Sequence, residues 1–181
     1  MGSPASTAVF GNAFYVEQSD QSSGIRVHMP GHGLTVDAEV ALTGRVRTAR
    51  TGERYIEAWS ASALGPMSVG PLGLNARALG GGDWQYDPAA GAGQQGIAGA
   101  YGLNNIGLLV RAWGRVTSTA ADYFTIDDGS SVNVKCVVPA GVILPDQDDY
   151  VSVTGISSCE KVGDDLHRLV RVRDQSDILP L

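Results

Sequence analysis

The stretch "LLVRAWGRVTS", Leu108–Ser118, reads as a β-strand that opens a barrel. Val110, Ala112, Gly114 and Val116 fall on one face, and Arg111, Trp113 and Arg115 on the other; this two-residue period marks a half-buried strand. Gly114 lies inside the run, where a glycine often marks the bend at which a small barrel turns a corner. The residues after this strand repeat an earlier part of the chain. "DYFTIDDGSSVNVKCVVPAGVI" (122–143) matches "AFYVEQSDQSSGIRVHMPGHGL" (13–34), and "VSVTGISSC" (151–159) matches "VALTGRVRT" (40–48). Each copy ends with a turn, "ARTGE" or "EKVGDD", and a last strand, "RYIEAW" or "HRLVRV". The copies stand 109 residues apart at the shared Pro and 111 apart at the shared Thr-Gly. This is a two-copy β-module, not a solenoid.

The fold class is therefore all-β. Strands are expected at 108–118, 123–127, 132–138, 150–158 and 167–173 in the second copy. A long bent first strand, a hairpin, a connection and a final hairpin resemble the OB-fold, a five-stranded Greek-key barrel. The resemblance covers 105–175 in full, and 13–59 for strands two to five. "VRAWGRV…YFTIDDGSSVNVK…DYVSVTGISS" is similar to bacterial OB-fold domains of the nucleic-acid-binding type. Similar modules occur in long secreted or surface bacterial proteins.

The expected organisation is a tail or tag (1–12), a first OB-like module (13–59), a Gly-rich ordered insert (60–104) and a second OB-like module (105–181). The first module lacks a clear strand one, because "MGSPASTAVFGN" (1–12) has no alternating run. Its apolar face (Val16, Ile25, Val27, Val40, Leu42, Ile56) then needs a cover. Either the chain is cut from a longer one, or Thr7–Phe10, part of the insert or a neighbouring molecule fills the gap. The insert is the expected one. It carries Met67, Leu72, Leu74, Leu79, Ile97, Tyr101 and Leu103, with Ile106 just beyond, side chains that a flexible Gly/Ser linker lacks.

Composition narrows the function. The chain has 181 residues, 43% hydrophobic and 18% charged, which suits a folded chain. No apolar run approaches the ~20 residues of a membrane helix, so no membrane span is expected. Net charge is −6, with 11 Arg and only 2 Lys. That balance is a poor field for a polyanion, and nucleic-acid binding at physiological salt is not expected.

Aromatic and Arg side chains on the outward strand faces are the binding candidates, since such pairs stack on bases or sugars. They are Tyr15, Tyr55, Trp59 and Arg45 in the first module, and Trp113, Arg111 and Arg115 in the second. Trp84 and Tyr86 in the insert are the first choice for a sugar platform. His28 and His32 cannot share a helix face across Pro30, so no metal site is assigned. The acidic turns "DDGSS", "DQDD" and "GDD" read as solvated turns. Cys136 and Cys159 are two thiols whose pairing is open. No nucleophile elbow, P-loop or H-E-x-x-H motif appears, so the chain is not read as an enzyme and no cofactor is assigned.

The function expected from these readings is a non-catalytic accessory or interaction module of an exported bacterial protein, with carbohydrate as candidate ligand. The alternative is an OB-fold single-stranded nucleic-acid binder. The partner classes are a polysaccharide or a protein. The expected place is extracellular or at the cell surface, as a fragment of a larger chain, with the cytoplasm not excluded.

Overall fold

The alternation is realised from Val110 to Val116. Val110, Ala112, Gly114 and Val116 are buried, while Arg111, Trp113 and Arg115 are exposed. The computed structural model describes residues 2–181. It is all-β. The first five strands are β1 (Ala5–Phe10), β2 (Ala13–Glu17), β3 (Gly24–His28), β4 (Ala38–Thr48) and β5 (Arg54–Pro66). They close into a barrel with neighbour order β1-β2-β3-β5-β4, compatible with an OB-like barrel. The intervening segment holds three short strands, β6 (Leu72–Gly73), β7 (Trp84–Asp87) and β8 (Ala92–Gln94).

The second set of five strands is β9 (Leu109–Thr119), β10 (Tyr123–Asp127), β11 (Val134–Val137), β12 (Tyr150–Val162) and β13 (Asp165–Arg171). β9 pairs with both β10 and β12, β10 with β11, and β13 with both β11 and β12, so this second set also returns on itself. A 3-10 turn, Gln175–Asp177, leads to β14 (Ile178–Pro180), which adds to the edge of β12. The repeat is visible in the register. Val27 stands opposite Ile56 in the parallel β3–β5 pair, as Cys136 stands opposite Val170 in β11–β13. Gly155 explains part of the Thr-Gly motif: a Cβ there would lie 2.5 Å from the Arg171 carbonyl oxygen, so only glycine lets β12 lie this close to β13.

One expectation needs correction. The segment read as a tail, 1–12, contains β1, which supplies strand one of the first barrel. The reason it carries no alternating pattern is that Ala5, Ser6, Thr7 and Ala8 are all buried. Ala8 packs with Tyr15, Leu109 and Ile156, so this side of the strand is covered by the second barrel. A strand covered on both faces loses its period-two signature.

The cover expected from the insert is also placed differently. Its buried Ala76 and Leu79 join the core of the second barrel with Val134, Val153 and Val170, and Leu72 and Leu74 pack against the same cluster. Ile97 and Ile106 pack with Cys159 and Leu166 of that barrel. Toward the first barrel the insert offers mainly polar ties. Gln94 accepts the Arg54 N–H at 2.7 Å, Gln21 donates to the Gly70 carbonyl at 2.7 Å, and Gly107 meets Gly24 backbone to backbone.

Because Leu79 is a fully buried plug of the second barrel, Leu79→Ala is expected to cost about 2–5 kcal/mol of unfolding free energy. Urea titration of both proteins measures it. A loss below ~1 kcal/mol would reduce the insert to a tether.

Candidate functional site

The two barrels differ most where strand one meets strand four. In the second barrel, β9 and β12 run together over seven paired positions, from Tyr150↔Arg115 to Ile156↔Leu109. In the first barrel the same seam has one among the described residues, Ala5↔Glu39, extended by a 2.8 Å hydrogen bond from the Val40 N–H to the Pro4 carbonyl. The offset between the copies equates Glu39 with Tyr150, and so Ala5 with Arg115. β1 therefore matches the part of β9 from Arg115 onward.

Beside this seam lies a cleft. Its walls are Val16, Ile25, Val40, Leu42 and Ile56, with Ser3 and Pro4 at one end and Trp84 and Ile106 of the insert at another; its volume is about 560 Å³. Ile25, Leu42 and Ile56 are half-buried. Their counterparts in the second barrel, Val134, Val153 and Val170, are fully buried in the cluster that Ala76 and Leu79 complete. Gln18, Ser22, Ser23 and Asn104 place amides and hydroxyls at the margin. An open apolar cleft with a few polar groups at its edge is the usual form of a binding site.

Trp84, an exposed side chain, borders this cleft. Tyr86 does not. It lines a separate hollow of about 350 Å³ with Arg50, Arg54 and Lys161. The break between them falls at Gln85, whose φ of 46° interrupts the strand so that residues two apart do not share a face. Tyr55 borders a smaller hollow with Arg26 and His28. Trp59, Trp113 and Arg45 are exposed, as is Arg111, whose Nε donates to the Thr154 hydroxyl at 3.0 Å. Arg115 is engaged by Asp148 at 2.9 Å. No single surface collects these residues. The cleft residues themselves look like ordinary core in the sequence; the one signal that singled them out was the weak opening strand.

Tyr15 departs from expectation. It is 1% exposed and lies between the barrels, where its hydroxyl donates to Glu53 Oε1 at 2.9 Å. The Ser158 hydroxyl donates to the same oxygen at 3.0 Å, Arg171 Nε donates to Ser158 Oγ at 3.1 Å, and Arg26 stands 3.8 Å from Glu53 Oε2. Burial raises the Glu53 pKa, and Arg171, Tyr15, Arg26 and Ser158 only partly offset it. Glu17 is buried nearby in chain order on β2. Its Oε2 accepts the Leu109 N–H of the second barrel at 2.7 Å, and its Oε1 has no partner. Burial pushes Glu17 up from 4.5 to about 7. These carboxyls tie the two barrels together; neither lines the cleft.

His32 is structural. Its Nδ1 accepts the Leu34 N–H at 3.0 Å and its ring packs on Phe14. Cys136 and Cys159 are free, buried thiols in separate clusters. Burial pushes the Cys159 thiol up to about 12, far from the reactive range. Among the described residues, no helix is long and apolar enough to cross a membrane.

No protein-family model matches this chain, and no curated protein matches it.

The buried Glu17 predicts a pH dependence. The folded state holds this proton more tightly than the unfolded chain, so stability should be highest below pH 4.5 in this window and fall as pH rises to about 7. The ceiling on that fall is on the order of 3 kcal/mol. Glu53 adds a slope of the same sign. Glu17→Gln keeps an acceptor for Leu109 but carries no proton to lose. Melting curves from pH 4.5 to 7 should show a shallower fall for the variant; parallel profiles would rule out a proton on Glu17.

Proposed function

We propose that this chain is a non-catalytic interaction module built from two OB-like barrels, and that its partner docks in the open cleft of the first. The neighbour order, strand one to two to three to five to four in both sets, with strands three and five parallel, supports the OB assignment. The observation that carries the functional reading is the cleft itself. Ile25, Leu42 and Ile56 remain half-wet where their counterparts are dry. Each side chain left in water forgoes part of the ~1.5–3 kcal/mol its burial would contribute. A protein keeps a grouped apolar surface of this kind where something binds it.

The wall chemistry favours a protein partner over a polysaccharide. A sugar needs dense hydrogen bonding over a stacked ring, and here one Trp stands beside an aliphatic floor. A place in an exported bacterial protein follows from the resemblance and from the acidic, Lys-poor composition. Single-stranded nucleic acid is the competing ligand, and its best support is the hollow shared by Arg26, His28 and Tyr55. Arg26, however, is turned toward the Glu53 carboxyl.

Selection from a displayed random-peptide library tests the reading. Selected peptides should be apolar, and Trp84→Ala should weaken them about tenfold, the ~1.4 kcal/mol of one edge aromatic contact. Binding indifferent to Trp84→Ala, or Trp84-dependent retention on an insoluble polysaccharide, would overturn it. Sub-micromolar, salt-sensitive binding of a labelled oligonucleotide would promote the competitor.

A further inference from the structure

We infer that the hollow between the β4–β5 turn, the β7–β8 hairpin and the end of β12 binds a phosphate monoester of a small ring-bearing molecule, with the oxyanion on Arg50, Arg54 and Lys161 and the ring against Tyr86. This site is separate from the apolar cleft and does not depend on what docks there.

Both barrels and the insert build it. The turn after β4 carries Arg50, and Arg54 opens β5. Tyr86 comes from the insert, and Lys161 from the end of β12. Hydrogen bonds fix these pieces to one another. Gln94 of β8 accepts the Arg54 N–H at 2.7 Å and donates to the Gly52 carbonyl at 3.1 Å. Cys159 Sγ of β12 donates to the Thr51 carbonyl at 3.5 Å. Gly52, with φ at 84°, takes a conformation that favours glycine and lays the turn against Leu166. The hollow, about 350 Å³, falls within the ~300–1,000 Å³ of small-molecule pockets.

Its charge is one-sided. No carboxylate among the described residues lines it, and none of its three cations is in an ion pair there. The chain's other lysine, Lys135, is held by Glu160 at 2.8 Å. Like charges around one space repel, and a bound dianion relieves that repulsion. The corresponding turn of the second barrel is acidic in Glu160, Asp164 and Asp165, whereas "ARTGE" exposes Arg50 and buries its Glu53. A basic turn is therefore no requirement of the fold. Arg54 is held in place as well: its Nη1 donates to Thr48 Oγ1 and to the Gly91 carbonyl, both at 2.8 Å. That leaves the Nε–Nη2 edge, which can meet an oxyanion at two points.

The same surroundings favour a small ligand over a polymer. The neighbouring hollow shares Ala49, but its Arg26 is turned to the Glu53 carboxyl. Past Lys161 the β12–β13 turn carries Asp164 and Asp165. The unpaired cations are thus confined to one hollow, which suits a single phosphate group. A phosphate monoester brings about −1.5 to −2 charges to them, more than a carboxylate or a sulfate ester.

Calorimetric titration of the full chain at fixed ionic strength tests this, with glucose 6-phosphate, adenosine 5′-monophosphate and inorganic phosphate as probes. At least one ester should bind one-to-one and more tightly than inorganic phosphate, and which one does so distinguishes a sugar ring from a purine. Arg50→Gln and Lys161→Gln change exposed side chains that are in no ion pair, and each should weaken the ester about tenfold. Tyr86→Ala should weaken the ester and leave inorganic phosphate unchanged. The inference falls if neither ester binds, if both Gln variants bind as the parent does, or if inorganic phosphate binds as tightly as the esters. Tighter, steeply salt-dependent binding of an oligonucleotide that lacks a terminal phosphate, weakened by Lys161→Gln, would assign the hollow to nucleic acid and overturn a small ligand.

Discussion

A five-stranded barrel closes only when its first strand is long enough to hydrogen-bond the fourth, because every strand edge left open exposes backbone donors and acceptors and the apolar face beneath them. The second barrel meets this condition through the whole of Leu109–Arg115. Among the described residues, the first pairs there at Ala5 and Pro4. Ile25, Leu42 and Ile56 are half-wet and wall the cleft beside Trp84. The second barrel is sealed by the apolar plugs of the insert, while the first closes its strands and carries the open cleft.

The sealed barrel serves as the platform for the open one. Ala8, Tyr15, Leu109 and Ile156 form a cluster between them, and Arg173 Nη1 reaches across to the Thr7 carbonyl at 3.0 Å. Two buried carboxyls, Glu17 and Glu53, lie at the same junction and are pushed toward the neutral form by burial. The Tyr15 and Ser158 hydroxyls donate to Glu53 and the Leu109 N–H donates to Glu17, so both barrels contribute to the polar contacts of this junction. The insert then fixes the relative position from one side, with its apolar plugs in the second barrel and its polar ties on the first.

Much of this architecture is legible in the residues. The inward and outward positions of β9, the matching strands of the two copies and the burial of Cys136 all follow from period-two patterning. The opening strand of the first barrel was not legible. Its small residues are enclosed on both sides, and enclosure on both sides erases the pattern that identifies a strand. Tyr15 misled for the same reason, since an aromatic on the outward face of one barrel is an interior residue when a second barrel packs over it.

The sequence by itself determined what each segment can be: two copies of a β-module, an acidic Lys-poor surface, an apolar face on each copy and a connector able to pack. Tertiary structure alone decided which copy the connector seals. Leu72, Leu74, Ala76 and Leu79 could cover either apolar face by composition, and they reach the second because β6 pairs in parallel with the start of β9, leading those side chains into its core. Hydrophobic burial has no direction of its own, so the choice between two similar faces falls to backbone pairing and chain connection.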